Sequence, residues 1–121
     1  MFLDSLRADP AYNEEDIDCY IHVNETIQAI GGRWKMLILW HLQEGGRRYN
    51  ELRRLIPGVS QKMLTQQLKE LEQDGLVERT VFPEMPPRVE YRMTDYGRTL
   101  EPIFDIMYEW GVRHRARKQG E

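Results

Sequence analysis

A run of polar side chains that could hydrogen-bond to the edges of DNA bases begins at Ser60. On an α-helix most of them collect opposite Leu64, Leu68 and Leu71, with Gln61 at the N-terminal edge. Glutamine can bond to adenine, lysine reaches guanine acceptors, and threonine offers a hydroxyl and a methyl. The residues with this chemistry are Ser60, Gln61, Lys62, Thr65, Gln66 and Lys69. With acidic residues only from Glu70 onward, the segment predicts a helix that reads the major groove; an ordinary solvated face is the alternative.

Five arginines are candidates for contacts to the DNA backbone, which position a protein without reading sequence. They are Arg47, Arg48, Arg53, Arg54 and Arg88. Arg88 follows two prolines, and a guanidinium on a stiff loop suits the narrow minor groove or the phosphates beside it. The alternative for each arginine is a purely solvated surface position.

The sequence predicts two helices, a tight turn between them and a following hairpin that would position these groups. Asn50 is expected to cap a short helix, Pro57-Gly58 to turn the chain, and Ser60 to cap a longer helix that Asp74-Gly75 ends. Two helices joined by a short glycine-containing turn are typical of a helix-turn-helix. Segments 76–82 and 88–93 then predict a β-hairpin. The sequence therefore predicts a mainly α fold with a small β-hairpin wing, a winged helix-turn-helix.

Apolar stripes near the two ends of the chain predict a dimer. The winged core is complete before the C-terminal stripe begins, so we expect the terminal helices to pack on a second copy, at the dimer seam. The residues assigned to this interface are Ile21, Val23, Ile27, Ile103, Met107 and Trp110. Packing within one chain is the alternative, above all for the N-terminal residues. A dimer would set two recognition helices roughly 34 Å apart on a near-palindromic site.

Length and charge fit one domain with an acidic front. We assign residues 1–16 to an acidic arm, 17–116 to the winged domain with its terminal dimerisation helices, and 117–121 to a frayed basic tail. The net charge of −3 counts against nucleic acid. However, residues 1–27 carry seven acids and one base, which leaves a net charge of +3 on the remainder.

The sequence contains no pattern that predicts an enzyme, a metal or cofactor site, or a membrane protein. The three histidines lack metal-ligand spacing, and no glycine-rich phosphate loop follows a strand. There is neither an apolar run of membrane length nor a signal-peptide pattern. With a single cysteine, these features predict a cytoplasmic protein.

Five motifs resemble the HxlR family of bacterial regulators. They are IGGRWK at Ile30–Lys35, RYNEL at Arg48–Leu52, IPGVSQKMLTQQL at Ile56–Leu68, DGLV at Asp74–Val77 and PPRVEY at Pro86–Tyr91. The similarity runs from about Cys19 to Gly111. The resemblance implies a homodimer that binds double-stranded DNA through the helix from Ser60 to Asp74 and the wing around Arg88. It does not indicate whether the protein represses or activates.

The same resemblance draws attention to Cys19. Several members of the family sense electrophiles, quinones or oxidants through a cysteine just ahead of the first helix, commonly followed by proline, whereas Tyr20 follows here. Asp16 and Asp18 disfavour a thiolate, while His22 or a helix start would favour one. Cys19 is therefore either a sensor of a small electrophile or a packing residue without redox consequence.

Two further functions stay open on the sequence alone. A winged-helix module that binds protein and never DNA is supported by the net charge of −3. A regulator could also bind a small aromatic or apolar effector at the dimer seam, with Trp34, Trp40 and Trp110 as its walls.

Overall fold

The computed structural model describes residues 2–120, except for the side chains of Phe2, Leu3 and Leu6. These residues form two compact units, the first ending at Arg33 and the second beginning at Trp34. Within the described range, no helix is both long and apolar enough to cross a bilayer.

The first unit contains helices α1 (Phe2–Ala8) and α2 (Glu14–Ile30). A capping box starts α2: Asn13 Oδ1 accepts from the Asp16 amide at 2.8 Å, and Asp16 Oδ2 accepts from the Asn13 amide at 3.2 Å. The acidic arm predicted for residues 1–16 thus carries α1 and the start of α2, and the boundary predicted at residue 17 falls inside a helix. The capping box was not predicted, because its two polar residues leave no mark on apolar periodicity.

The second unit holds four α-helices and a three-stranded antiparallel sheet of order β1-β3-β2. Its helices are α3 (Lys35–Leu42), α4 (Tyr49–Leu55), α5 (Gln61–Gln73) and α6 (Glu101–Lys118), with a 3₁₀ turn at Gly97–Leu100. Its strands are β1 (Arg47–Arg48), β2 (Val77–Phe82) and β3 (Arg88–Met93). The mainly α fold with a hairpin wing is confirmed, and α6 extends to Lys118, into the tail predicted to be frayed.

The core of the second unit lies between α3, α4 and α5. Its fully buried side chains include Ile38, Leu39, Leu42, Leu52, Leu64, Leu68 and Leu71. Burying a side chain of this size is worth about 1.5–3 kcal/mol. The leucine stripe of α5 therefore fixes which face of that helix points away from the protein. Helix α3 is buried on one side only, because Leu37 and Trp40 are exposed.

A tight corner joins the wing to α6. Thr94 Oγ1 accepts a hydrogen bond from the Gly97 amide at 2.9 Å and donates one to the Gly75 carbonyl. A Cβ added at Gly97 would overlap the backbone carbonyl of Leu76. Pro102 lies in the first turn of α6, where its missing N–H costs nothing.

Candidate nucleic-acid interface

Helix α5 begins where the sequence predicts. Ser60 has an extended backbone, and its Oγ accepts a hydrogen bond from the Met63 amide at 3.0 Å. This N-cap satisfies one of the free amides of the first turn and is typically worth about 1 kcal/mol. At the other end Asp74 is the C-cap, and Gly75 has the positive φ of 74° that a glycine adopts most readily.

The polar face of α5 is exposed along its first turns. Five side chains predicted to read bases line one open surface depression: Gln61, Lys62, Thr65, Gln66 and Lys69. Each of them, and Ser60 before them, is exposed. The structure therefore brings five of the six predicted residues together around one depression and leaves Ser60 exposed just before them, and we call these six residues the α5 polar face. It carries two ammonium groups and no carboxylate.

Tyr49, which the sequence analysis did not single out, ties α4 to the α5 polar face. Its hydroxyl donates to the Gln61 carbonyl at 3.0 Å and lies 3.1 Å from Thr65 Oγ1. The expectation that Asn50 caps α4 is wrong: Arg48 is the N-cap residue, and Glu51 Oε1 accepts from its amide at 3.0 Å. Tyr49 thus becomes the first residue of α4.

A second contact joins α5 to α3. Lys35 Nζ donates to Glu70 Oε1 at 3.3 Å, and Gln67 Nε2 donates to Glu70 Oε2 at the same distance. The Lys35 side chain is only 9% exposed, against 40% for Glu70. An ammonium so little hydrated needs its partners, so this ion pair links the start of α3 to the third turn of α5.

The arginines of the helix-turn-helix divide into exposed and engaged groups. Arg48, Arg53 and Arg54 are exposed. Arg47 is engaged within the chain, because its Nε donates to the His41 carbonyl at 3.2 Å and its guanidinium lies 3.8 Å from Glu51.

The half-buried imidazole of His41 is affected by this environment. Burial, and then the charge of Arg47, lower the pKa of His41 below its ordinary value of 6.5.

Arg88 is folded onto the wing rather than projecting from it. Its guanidinium lies 4.1 Å from the centre of the Phe82 ring and forms ion pairs with Glu84 at 3.3 Å and Glu90 at 3.6 Å. Its Nε is buried and has no hydrogen-bond partner among the described residues. Arg88, the predicted wing contact to DNA, is thus restrained by two carboxylates and a ring.

The residues assigned to the dimer seam differ in accessibility. Val23 and Ile27 in the first unit, and Met107 and Trp110 in the second, are each about half exposed. Ile21 and Ile103 are of intermediate burial. Further apolar side chains on α6 are exposed and were not predicted: Ile106, Tyr108 and Val112.

Of the three tryptophans, Trp40 borders a cleft between α3 and α6. Trp40 stacks on Tyr108 at 6.0 Å and lines an apolar cleft of about 260 Å³ with Met36, Leu37, Phe104 and Met107. Trp34 and Trp110 are not among the residues that line this cleft. The described part of the chain has no group of three or more His, Cys, Asp or Glu suited to a metal ion.

Cys19 is exposed and lies in the second turn of α2 rather than at a helix start. It borders an open depression together with Tyr12, Asp16 and Tyr20. His22 Nδ1 lies 2.8 Å from the carbonyl oxygen of Asp18 and 3.5 Å from its carboxylate. The imidazole is therefore engaged by Asp18, and the activation of the thiol by a helix N-terminus does not apply.

The chain is similar in sequence and in fold to helix-turn-helix transcriptional regulators. The profile of the HxlR-like helix-turn-helix family matches residues 29–119. The HTH-type transcriptional regulator YtcD of Bacillus subtilis is 50% identical over 101 residues, which is 84% of this chain and 80% of that relative. The oxidised form of the redox regulator HypR superposes with a TM-score of 0.73 at 50% identity, over 75% of this chain and 94% of that one. The reduced form of the transcriptional regulator YodB of B. subtilis gives a TM-score of 0.68 at 42% identity, over 74% and 87% of the two chains.

Proposed function

Because the chain belongs to the HxlR-like helix-turn-helix family and is a transcriptional regulator, not an enzyme, we propose that it binds a near-palindromic DNA operator as a homodimer. The observation that carries the proposal is the α5 polar face, with six exposed polar side chains, two of them cationic, backed by a buried leucine stripe.

The N-terminal turns of α5 contact the bases. The amides of Gln61 and Gln66 each carry a donor and an acceptor, which complement the N7 acceptor and the N6 amino donor of adenine in the major groove. Lys62 can donate to the acceptors of guanine. The positive end of the α5 dipole adds attraction for a phosphate near Ser60. Glu70 points back to Lys35 and is kept away from the duplex by that ion pair.

Backbone contacts come from the exposed arginines of β1 and α4. Arg48, Arg53 and Arg54 precede the α5 polar face in the chain, and their exposed side chains are accessible to phosphates. The wing contributes through Arg88, which must exchange Glu84 or Glu90 for a phosphate when DNA arrives. Arg47 supports the loop before α4 through its contact to His41.

A second copy of the chain covers the exposed apolar residues near both termini. Val23, Ile27, Met107 and Trp110 are about half exposed, and packing them against a second copy would remove their apolar surface from water. Pairing two chains through them brings two α5 helices to successive turns of DNA, roughly 34 Å apart.

Selection from random duplex DNA tests the proposal. The parent should enrich a two-fold symmetric site, and Lys62→Ala or Gln66→Ala should weaken discrimination at one base pair per half-site by roughly tenfold. Lys118→Ala and Gln119→Ala are matched controls, since both side chains are exposed at the end of α6. They should select as the parent does. If the parent enriches no DNA sequence, a winged-helix module that binds protein is favoured instead.

A second function, a thiol response at Cys19, is favoured by the exposure of the cysteine and by the similarity to the redox regulator HypR. A chain with one cysteine has two routes. Two Cys19 thiols of a dimer can form a disulfide while peroxide takes up their two electrons and two protons to give water, or the sulfur can add to a quinone.

Replacing the thiol tests this second function. The Cys19→Ser variant should keep its DNA on treatment with peroxide or quinone, while the parent releases it. Equal release by both proteins would exclude the thiol as the sensor and leave a non-covalent aromatic effector, for which the cleft at Trp40 is the candidate site.

A further inference from the structure

One hydroxyl of the α5 polar face is already occupied inside the protein. Thr65 is exposed on the second turn of α5, yet its Oγ1 lies 3.1 Å from the Tyr49 hydroxyl. The same Tyr49 hydroxyl lies 3.0 Å from the backbone carbonyl of Gln61. Three oxygens of two helices therefore meet at one point beside the surface proposed to read DNA.

Counting protons fixes the direction of both hydrogen bonds. A carbonyl oxygen only accepts, so the single hydroxyl proton of Tyr49 goes to Gln61. The contact between Tyr49 and Thr65 then needs a proton from Thr65, because two oxygens without one would repel at 3.1 Å. The Thr65 hydroxyl consequently donates inward, and what it presents to solvent is lone pairs.

We propose that Tyr49 is a specificity-determining positioning residue that turns the Thr65 hydroxyl into an obligate acceptor. This inference rests on the proposed entry of α5 into the major groove. An acceptor bonds to the exocyclic amino groups of adenine or cytosine, and it is repelled by the oxygen or ring-nitrogen acceptors of guanine and thymine. On the strand that Thr65 faces, one position of each half-site is then adenine or cytosine.

Without Tyr49 the preference should relax. A threonine hydroxyl that is free to rotate can donate or accept, so it tolerates all four bases. The Tyr49→Phe change keeps the ring and removes only the hydroxyl. It should lower the discrimination against guanine and thymine at that position by roughly two- to tenfold, the range of one hydrogen bond. A purely structural role for Tyr49 would weaken binding to every sequence alike.

Four variants and their full-length parent are compared by selection from random duplexes, followed by titration of the four single-base versions of the selected site. They are Tyr49→Phe, Thr65→Val, the double variant of both, and Tyr96→Phe as the control. Thr65→Val removes the hydroxyl at nearly constant shape and identifies the position that Thr65 reads. Tyr96 is exposed and lies outside the helix pair. Circular dichroism and Tm measurements establish that each variant is folded.

The expected result is adenine or cytosine at the position that Thr65→Val alters, and a relaxed preference there in Tyr49→Phe. In the Thr65→Val background, Tyr49→Phe should change nothing further, and Tyr96→Phe should match the parent. Unchanged preference in Tyr49→Phe, or a guanine or thymine at the Thr65 position, overturns the inference while leaving DNA recognition by α5 intact. A parent that enriches no site overturns the proposed function and this inference with it.

Discussion

The ion pair between Lys35 and Glu70 should contribute measurably to the stability of the second unit. The perturbation is Glu70→Gln, which keeps the shape and a hydrogen-bond acceptor but removes the negative charge. The Lys35 ammonium, with a side chain 9% exposed, then faces a neutral amide at the place where the carboxylate lay 3.3 Å away. The reverse change, Lys35→Met, removes the nearly buried charge and leaves a carboxylate that is 40% exposed.

The two changes should therefore differ in size. At an effective dielectric constant of about 20, two charges 3.3 Å apart attract by about 5 kcal/mol. Desolvation of the ammonium cancels most of this attraction, and a hydrogen bond between charged groups retains about 1.5–3 kcal/mol. We expect Glu70→Gln to lower the free energy of unfolding by about 2 kcal/mol and Lys35→Met by less than about 1 kcal/mol.

Urea denaturation of the two single variants and the double variant measures this coupling. The double variant should be about as stable as Lys35→Met alone. Glu72→Gln on the same helix is the control, because the described residues give Glu72 no ion-pair partner, and it should change stability by less than about 0.5 kcal/mol. Additive effects of the two single changes, or a Glu70→Gln protein as stable as the parent, would show that the ion pair does not stabilise the second unit.

Three further predictions concern the wing, the corner and the buried imidazole. Glu84→Gln frees Arg88 from one carboxylate, so DNA affinity in titrations at low salt should rise by roughly two- to fivefold; an unchanged or lower affinity would contradict the restraint. Gly97→Ala forces a Cβ into a backbone carbonyl and should cost more than about 2 kcal/mol in urea denaturation, whereas Gly111→Ala, which has open space, should not destabilise. Burial in the folded protein, and then the charge of Arg47, lower the pKa of His41 below 6.5. The unfolded chain therefore binds the imidazole proton more tightly than the folded protein does. The stability contributed by the neutral imidazole is present above pH 6.5 and is lost as the pH falls below that value. The His41→Gln variant should lose less stability than the parent between about pH 7.5 and about pH 5.5, which lie one unit either side of the ordinary His pKa, as urea denaturation at the two pH values would reveal.

The elements that were predicted correctly are those with local causes. Ser60 caps α5 because its own hydroxyl reaches an amide three residues on, and the leucine spacing fixes the buried side of the same helix. The hairpin strands also follow their own alternation and end at the proline-rich loop. Such signals are contained in a few consecutive residues, so the fold and the α5 polar face could be predicted from sequence.

Two of the features that were missed depend on residues far apart in the chain. Strand β1 is two residues long and exists because β3 pairs with it, at Arg48 opposite Glu90. The contact of Tyr49 with Thr65 spans two helices, and a tyrosine in a polar segment gives no local sign of it. The ion pairs of Arg88 with Glu84 and Glu90 and the capping box of α2 are local, but they join polar residues and leave no trace in the apolar spacing.

The claim on which the account depends is that the α5 polar face lies against the bases of a DNA duplex. A photo-crosslinking amino acid at position 66, compared with one at position 119, tests it in the complex with the selected site. If the α5 polar face lies in the major groove, the probe at 66 should attach to bases inside each half-site and the probe at 119 to none. A specific complex in which the probe at 66 does not react with DNA would rule out this placement of α5.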